Sequence, residues 1–147
     1  KTKITFDLIL IKQTIHLLKK GQILKLLKIC KKKLNPGGKI IIMSLDPKKN
    51  EIPTFNLMKK KLNVSLKKDE KLFNLIFRND SQIMIKKFIY NVQISKIKYL
   101  KMIKNRYIST LLNFTDSQII IGLNEIKKKY KKNIKFKDRL ICYIIKN

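Results

Sequence analysis

The sequence predicts an α/β fold built on a parallel sheet, and three stretches predict it: an apolar run at 6–11, an amphipathic segment at 22–34 and a second apolar run at 39–44. Phe6-Asp7-Leu8-Ile9-Leu10-Ile11 is nearly continuous in apolar residues, the pattern of a strand buried on both faces. In 22–34, Ile23, Leu24, Leu26, Leu27, Cys30 and Leu34 recur at helical spacing, with lysines largely between them. Asn35-Pro36-Gly37-Gly38 is expected to end that helix, because Pro36 cannot continue it and the glycines reach positive φ at low cost. Lys39-Ile40-Ile41-Ile42-Met43-Ser44 then reads as a second buried strand. Two such strands joined by a crossover helix make a right-handed βαβ unit of a parallel sheet.

The later elements follow from local pattern. Segments 54–62 and 67–77 read as two helices, the first with Phe55, Leu57, Met58 and Leu62 apolar, the second with Leu72, Phe73, Leu75, Ile76 and Phe77. Segment 82–94 alternates β-branched and aromatic residues and predicts a strand. Ser95 is placed to cap a helix carrying Tyr99, Leu100 and Ile103. Thr115-Asp116-Ser117-Gln118 is a capping box, and its helix is expected to end in the lysine run at 127–132, the negative end of the helix dipole. Segment 134–145 closes the chain as a strand, with an interruption expected near Lys137-Asp138.

Composition bounds the functional classes. The chain has 147 residues, 44% of them hydrophobic, enough for one domain with a core and unlike a disordered tail. The formal charge is +27, which suggests nucleic acid or an anionic surface as partner. The rest of the composition weighs against that. Ala and Trp are absent, Gly is scarce, and only Arg78, Arg106 and Arg139 are arginines, so nearly all the positive charge is Lys. An AT-rich coding bias fills solvated positions in this way, and the lysines are scattered where a binding footprint would cluster. Nucleic acid is therefore discounted as a partner. Phe6, Phe55, Phe73 and Phe88 are expected on apolar faces, away from any such footprint. Cys30 and Cys142 are distant and lie in apolar patterns, as buried thiols of a reducing, cytoplasmic compartment would. No Cys/His cluster suggests a metal site, and no apolar run approaches the roughly 18 residues of a membrane span.

Segment 5–47 resembles the second half of the class I S-adenosylmethionine-dependent methyltransferases. The residues that carry the resemblance are Phe6-Asp7-Leu8-Ile9, then Gln13-Thr14-Ile15-His16-Leu17-Leu18, the amphipathic helix, and above all Leu34-Asn35-Pro36-Gly37-Gly38-Lys39-Ile40-Ile41-Ile42. In that family Phe-Asp opens the fourth strand, and a leucine, polar, proline, glycine, glycine turn leads into the fifth. The resemblance implies a Rossmann-like sheet, mostly parallel with an antiparallel edge pair formed by the last two strands. Residues 1–147 would be the C-terminal portion of one methyltransferase-like domain, with 48–81 and 95–132 as helical elaborations. The family's glycine-rich cofactor loop has no counterpart among Gly21, Gly37, Gly38 and Gly122. Initiator Met is normally removed only before a small residue, so Lys1 also points to a piece of a longer protein.

The resemblance also nominates site residues. Ligands of open parallel sheets bind beyond the carboxyl ends of the strands. Lys12, Gln13, Thr14 and His16 leave the first strand there and would form one wall of the crevice, Lys12 and Gln13 toward S-adenosylmethionine and Thr14 toward substrate. His16, the sole histidine, is the catalytic candidate, orienting substrate or acting as a base. Its structural alternative is a helix-start residue that caps a backbone group. Asp46, after the second strand, is a candidate for substrate contact, although the pattern favours a turn residue before Pro47. Arg106 stands out as an arginine amid lysines, suited to recognising a substrate carboxylate.

The implied activity is methyl transfer to a small-molecule acceptor by the intact protein, with the isolated chain inactive. The rival expectations are a basic RNA-binding or RNA-methylating module, or a catalytically inactive half-domain that serves as an interaction surface.

Overall fold

The structure is a computed structural model, described here for residues 4–77 and 83–146. The elements in order are β1 (Phe6–Lys12), α1 (Lys20–Lys32), β2 (Leu34–Leu45), α2 (Asn56–Phe77), β3 (Ile83–Ser95), α3 (Lys96–Lys104), α4 (Asp116–Lys129) and β4 (Asn133–Lys146), with single 3-10 turns at Ile15–Leu17 and Ser109–Leu111. The four strands form one mixed sheet in the order β1-β2-β4-β3. β1 and β2 are parallel, with Ile9 opposite Ile40 and Ile11 opposite Ile42. β4 is antiparallel to β2, with Ile40 opposite Ile145 and Ile42 opposite Tyr143. The chain divides into two compact units: residues 1–46, 68–88 and 139–147, and residues 47–67 and 89–138.

The first unit is assembled around the βαβ element. α1 buries Ile23, Leu27 and Cys30, at the spacing of one helical face. With Ile15, Leu34, Ile40, Ile42, Phe73, Phe77, Tyr143 and Ile145 they make one core cluster. Tyr143 holds the aromatic part of it, 5.7 Å from Phe73 and 4.6 Å from Phe77 between ring centroids. The helix ends at Lys32, earlier than expected, and Asn35-Pro36-Gly37-Gly38 is drawn into β2 as a bulge. Phe6 faces Leu34 and Leu8 faces Lys39, so the step from Phe6 to Leu8 is matched by the longer step from Leu34 to Lys39. Gly37 takes φ +76°, and a Cβ on Gly38 would lie 2.9 Å from the Asn35 carbonyl oxygen and 3.1 Å from that of Phe6. One glycine supplies the backbone conformation and the other the space.

β1 is not buried on both faces as its apolar run suggests. It is an edge strand, and Leu8 and Leu10 are each 55% exposed while Ile9 and Ile11 pack on the core. A continuous apolar run does not distinguish an edge from the centre of a sheet. The two helices expected at 54–62 and 67–77 are one helix, α2. Nothing between them breaks a helix, since Asn63-Val64-Ser65 holds neither Gly nor Pro, and the buried face runs on through Met58, Leu62, Leu66, Phe73 and Phe77. β4 likewise runs unbroken through Lys137-Asp138. Phe55 and Phe73 are core residues, whereas Phe6 and Phe88 are exposed. Gln82, the expected start of β3, and residues 1–3 lie outside the described residues.

In the second unit, Phe55, Met58, Tyr99, Ile103, Leu111, Phe114, Ile119, Ile126 and Ile134 form the core. The caps read from the sequence are in place. Ser95 Oγ accepts from the Lys98 N–H at 3.3 Å, and Thr115 and Gln118 exchange two bonds at 3.0 and 3.3 Å. Glu125 Oε2 accepts from the Asn56 N–H at 2.8 Å and so satisfies a free donor at the start of α2. Gly122 lies against the Phe55 ring so closely that an added Cβ would be 2.6 Å from it.

Candidate functional site

At the carboxyl end of β1 the chain makes a sharp exit. Gln13 adopts φ +52°, and its N–H donates to the Met43 carbonyl at 2.8 Å, which clamps the exit to β2. A non-glycine residue in this conformation costs roughly 1–2 kcal/mol, and such strain concentrates at functional positions. The next turn is a 3-10 turn in which the Leu17 N–H donates to the Thr14 carbonyl at 3.0 Å. Ile15 is fully buried and pegs that turn to the core, so His16 beside it is held half-buried while Lys12, Gln13 and Thr14 face outward.

Asp46 lies just past the carboxyl end of β2, the parallel neighbour of β1. It is 3% exposed, and its N–H donates to the Arg139 carbonyl at 2.8 Å. Two further carboxylates come from α2. Asp69 occupies the helix's inward stripe between Leu66 and Phe73. Burial pushes its carboxyl above the ordinary carboxylate range, while the charges of His16 and Lys68 pull it back. Glu70 and Asp46 bear on Tyr143, whose hydroxyl is pushed up to about 12 by burial first and by these two carboxylates second. Asp46, Asp69 and Glu70 all belong to the unit that holds the chain's single histidine. His16 is thus within electrostatic reach of the Asp69 carboxyl.

Lys12, Gln13, Thr14, His16 and Asp46 thus share the first unit and the carboxyl ends of adjacent parallel strands. Arg106 belongs to the second unit. It takes φ +51°, its Nη2 lies 2.7 Å from Asp116 Oδ1, and it donates to the Phe114 carbonyl at 3.1 Å. The carboxylate that Arg106 meets is one of the chain's own. Asp69 and Glu70 were not singled out by sequence reasoning. The available signal was position: Asp69 falls on the stripe Leu62, Leu66, Phe73, Phe77, where an apolar residue is expected.

The residues present do not supply the glycine-rich turn that holds a nucleotide cofactor. Gly21 opens α1, Gly37 and Gly38 form the bulge, and Gly122 packs on Phe55, so none cradles a ligand between a strand and a helix. Among the described residues no three His, Cys, Asp or Glu side chains are grouped to hold a metal ion. No helix there is long and apolar enough to cross a membrane.

No protein-family profile matches the chain, and no curated protein sequence does. Among solved structures it is similar to the plantazolicin methyltransferase BpumL in complex with a pentazolic desmethylPZN analog and SAH, at 15% identity and a TM-score of 0.40, over 100% of this chain and 55% of that one. It is similar also to the same methyltransferase in complex with SAH, at 15% identity and a TM-score of 0.38, over 98% of this chain and 52% of that one. The chain spans about half the length of the solved chains it matches.

Proposed function

We propose that this chain supplies the second half of an S-adenosylmethionine-dependent methyltransferase that acts on a small-molecule acceptor in the cytoplasm. One observation carries the reading. The Phe-Asp strand and the Asn-Pro-Gly-Gly strand are parallel neighbours joined by α1, and the last strand runs antiparallel against the second of them with β3 outside it. That is the arrangement the motif resemblance calls for.

When bound, the cofactor supplies a methyl carbon already made electrophilic by its sulfonium, so the protein's task is alignment. In this reading the strained exit at Gln13 forms part of the cofactor wall. His16, backed by Asp69, receives a proton from acceptors that must lose one. No transfer step is assigned to this chain by itself, and it is inactive alone.

The test is S-adenosylmethionine binding by equilibrium dialysis, together with methyl transfer to a panel of small acceptors, using the product of the complete reading frame. The expected result is cofactor binding by the complete product, kept in His16→Gln with methyl transfer reduced by about 100-fold, the lower end for loss of a positioned base. A complete product that binds no cofactor overturns the reading.

A second reading has one observation in its favour. On the edge strand β3, Phe88 emerges exposed two residues from the exposed Lys86, so a base-stacking ring and a cation share one strand face. It predicts RNA binding that falls steeply with salt and weakens in Phe88→Ala.

A further inference from the structure

We propose that the groove beside α1 in the first unit binds a small anionic amphiphile, an alkyl chain ending in a carboxylate. The groove measures about 380 Å³, within the range of small-molecule sites and too small to bury a helix from a partner. Its floor is apolar, made by Leu27, Ile76, Phe77 and Ile145, and Leu24 continues that surface outward while 48% exposed. One wall carries Lys28, Lys31 and Lys32, and among the described residues no acidic side chain lines the groove.

Helical spacing sets this pairing of floor and rim. Leu24, Lys28 and Lys31 lie one and two turns apart on one side of α1, so the ammonium groups stand along the edge of the apolar surface. An alkyl chain on the floor then brings its head group to the lysines. The carboxyl end of α1 opposes an anion there, which makes the head group depend on the lysines. Lysine is abundant throughout this chain, and what separates these three is a rim of one sign, among the described residues, over an apolar floor. The groove of similar volume in the second unit includes Glu51 between Lys135 and Lys137, and the Lys137 N–H donates to that carboxylate at 3.4 Å. Its lining is of mixed charge.

The test is calorimetric titration of the full chain with dodecanoate below its micelle concentration, with octanoate, dodecanol and dodecyltrimethylammonium as comparators. The expected result is one dodecanoate site that weakens about threefold or more for each methylene removed toward octanoate. Replacing Lys28, Lys31 and Lys32 together by Gln weakens binding at least tenfold. The same replacement at Lys127, Lys128 and Lys129 on α4 removes equal charge and leaves binding within twofold. Leu24→Asn, at a half-exposed position, flattens the chain-length dependence without emptying the core. If the triple replacement fails to fold, Lys28→Gln is titrated in its place, with at least a threefold loss expected. Equal losses in both triple variants, no dependence on chain length, tighter binding of the cationic or neutral comparator, or binding of an acidic amphipathic peptide with none of dodecanoate each overturns the proposal.

Discussion

Asn35 Nδ2 donates to Asp7 Oδ1 at 2.8 Å, so the two residues that mark the start of β1 and the turn into β2 are bonded to each other across 28 positions of sequence. The bond lies where the Phe6 N–H also donates to the Lys33 carbonyl at 2.8 Å. Asn35→Ala is expected to cost about 1 kcal/mol, the net value of one hydrogen bond. Gly38→Ala should cost more, about 1–3 kcal/mol, because its Cβ meets backbone oxygens that cannot turn aside. Urea midpoints measured at constant m-value give the ordering, and Asn35→Ala as the more damaging change would show that the bulge is not close-packed.

Gly122→Ala tests the second unit. Ala is the better helix former, so an exposed glycine replaced in mid-helix would gain about 1 kcal/mol. Here the added carbon strikes the Phe55 ring, whose residue is 2% exposed. The expected outcome is a loss of about 1–3 kcal/mol, read from the thermal midpoint. The double variant Phe55→Leu, Gly122→Ala should recover part of it.

Gln13→Gly separates strain from function. Glycine adopts the observed φ freely, so stability is expected to rise by up to about 1 kcal/mol by chemical denaturation. In the complete protein the same change should weaken cofactor binding. A variant that is both more stable and fully active would remove Gln13 from the proposed wall.

Asp69 and Tyr143 give the pH dependence. Each has its pKa raised by burial, so each binds its proton more readily folded than unfolded. The contribution of Asp69 is full below its ordinary value of 3.8 and is lost as the pH rises above it. Asp69→Asn is therefore expected to raise stability near neutral pH and to leave it unchanged at pH 3. The Tyr143 contribution is full below 10 and is lost as the pH rises toward about 12. Many lysines titrate over the same interval, so the measurement is the difference between the parent chain and Tyr143→Phe, with the variant losing less between pH 9 and pH 12 (roughly the interval bracketing the two Tyr143 values).

The open edge and face of β1 predict self-association. Leu8 and Leu10 present apolar surface on a strand that, among the described residues, pairs on one side only, a template for pairing with another chain. The charge of +27 opposes contact between copies, and salt screens it. Sedimentation should show association that grows with salt and is suppressed by Leu8→Lys with Leu10→Lys. A monomer at every salt concentration would count against the edge as an interface.

The parts of the fold legible in sequence are those fixed by local chemistry. The strand-helix-strand order of β1, α1 and β2, the serine and threonine caps and the strand at β3 depend on neighbours a few residues away. What the sequence did not disclose depends on distant partners. The apolar run of β1 is the same string whether one face is covered or bare, and α2 reads as two helices because Asn63-Val64-Ser65 interrupts the apolar pattern without interrupting the backbone. That Lys12, Gln13, Thr14, His16 and Asp46 lie past the carboxyl ends of parallel strands was legible from the order of the elements. Asp69 was hidden because an acid in a lysine-rich helix reads as surface. Arg106 pairs with Asp116, a residue already accounted for as part of a cap.

The bulge at Asn35-Pro36-Gly37-Gly38 also governs which changes of length this chain tolerates. A strand alternates its sides with every residue, so Ile40 and Ile42 keep the core side only while β2 from Lys39 onward holds its register against β1 and β4. Between Leu34 and Lys39 five steps of β2 already stand against two of β1, so a residue added there is taken up as a larger bulge. The same addition between Ile40 and Ile42 has no bulge to absorb it and would turn one of the two isoleucines away from the core. Length variants surviving selection should therefore fall at 35–38 and not within 40–45.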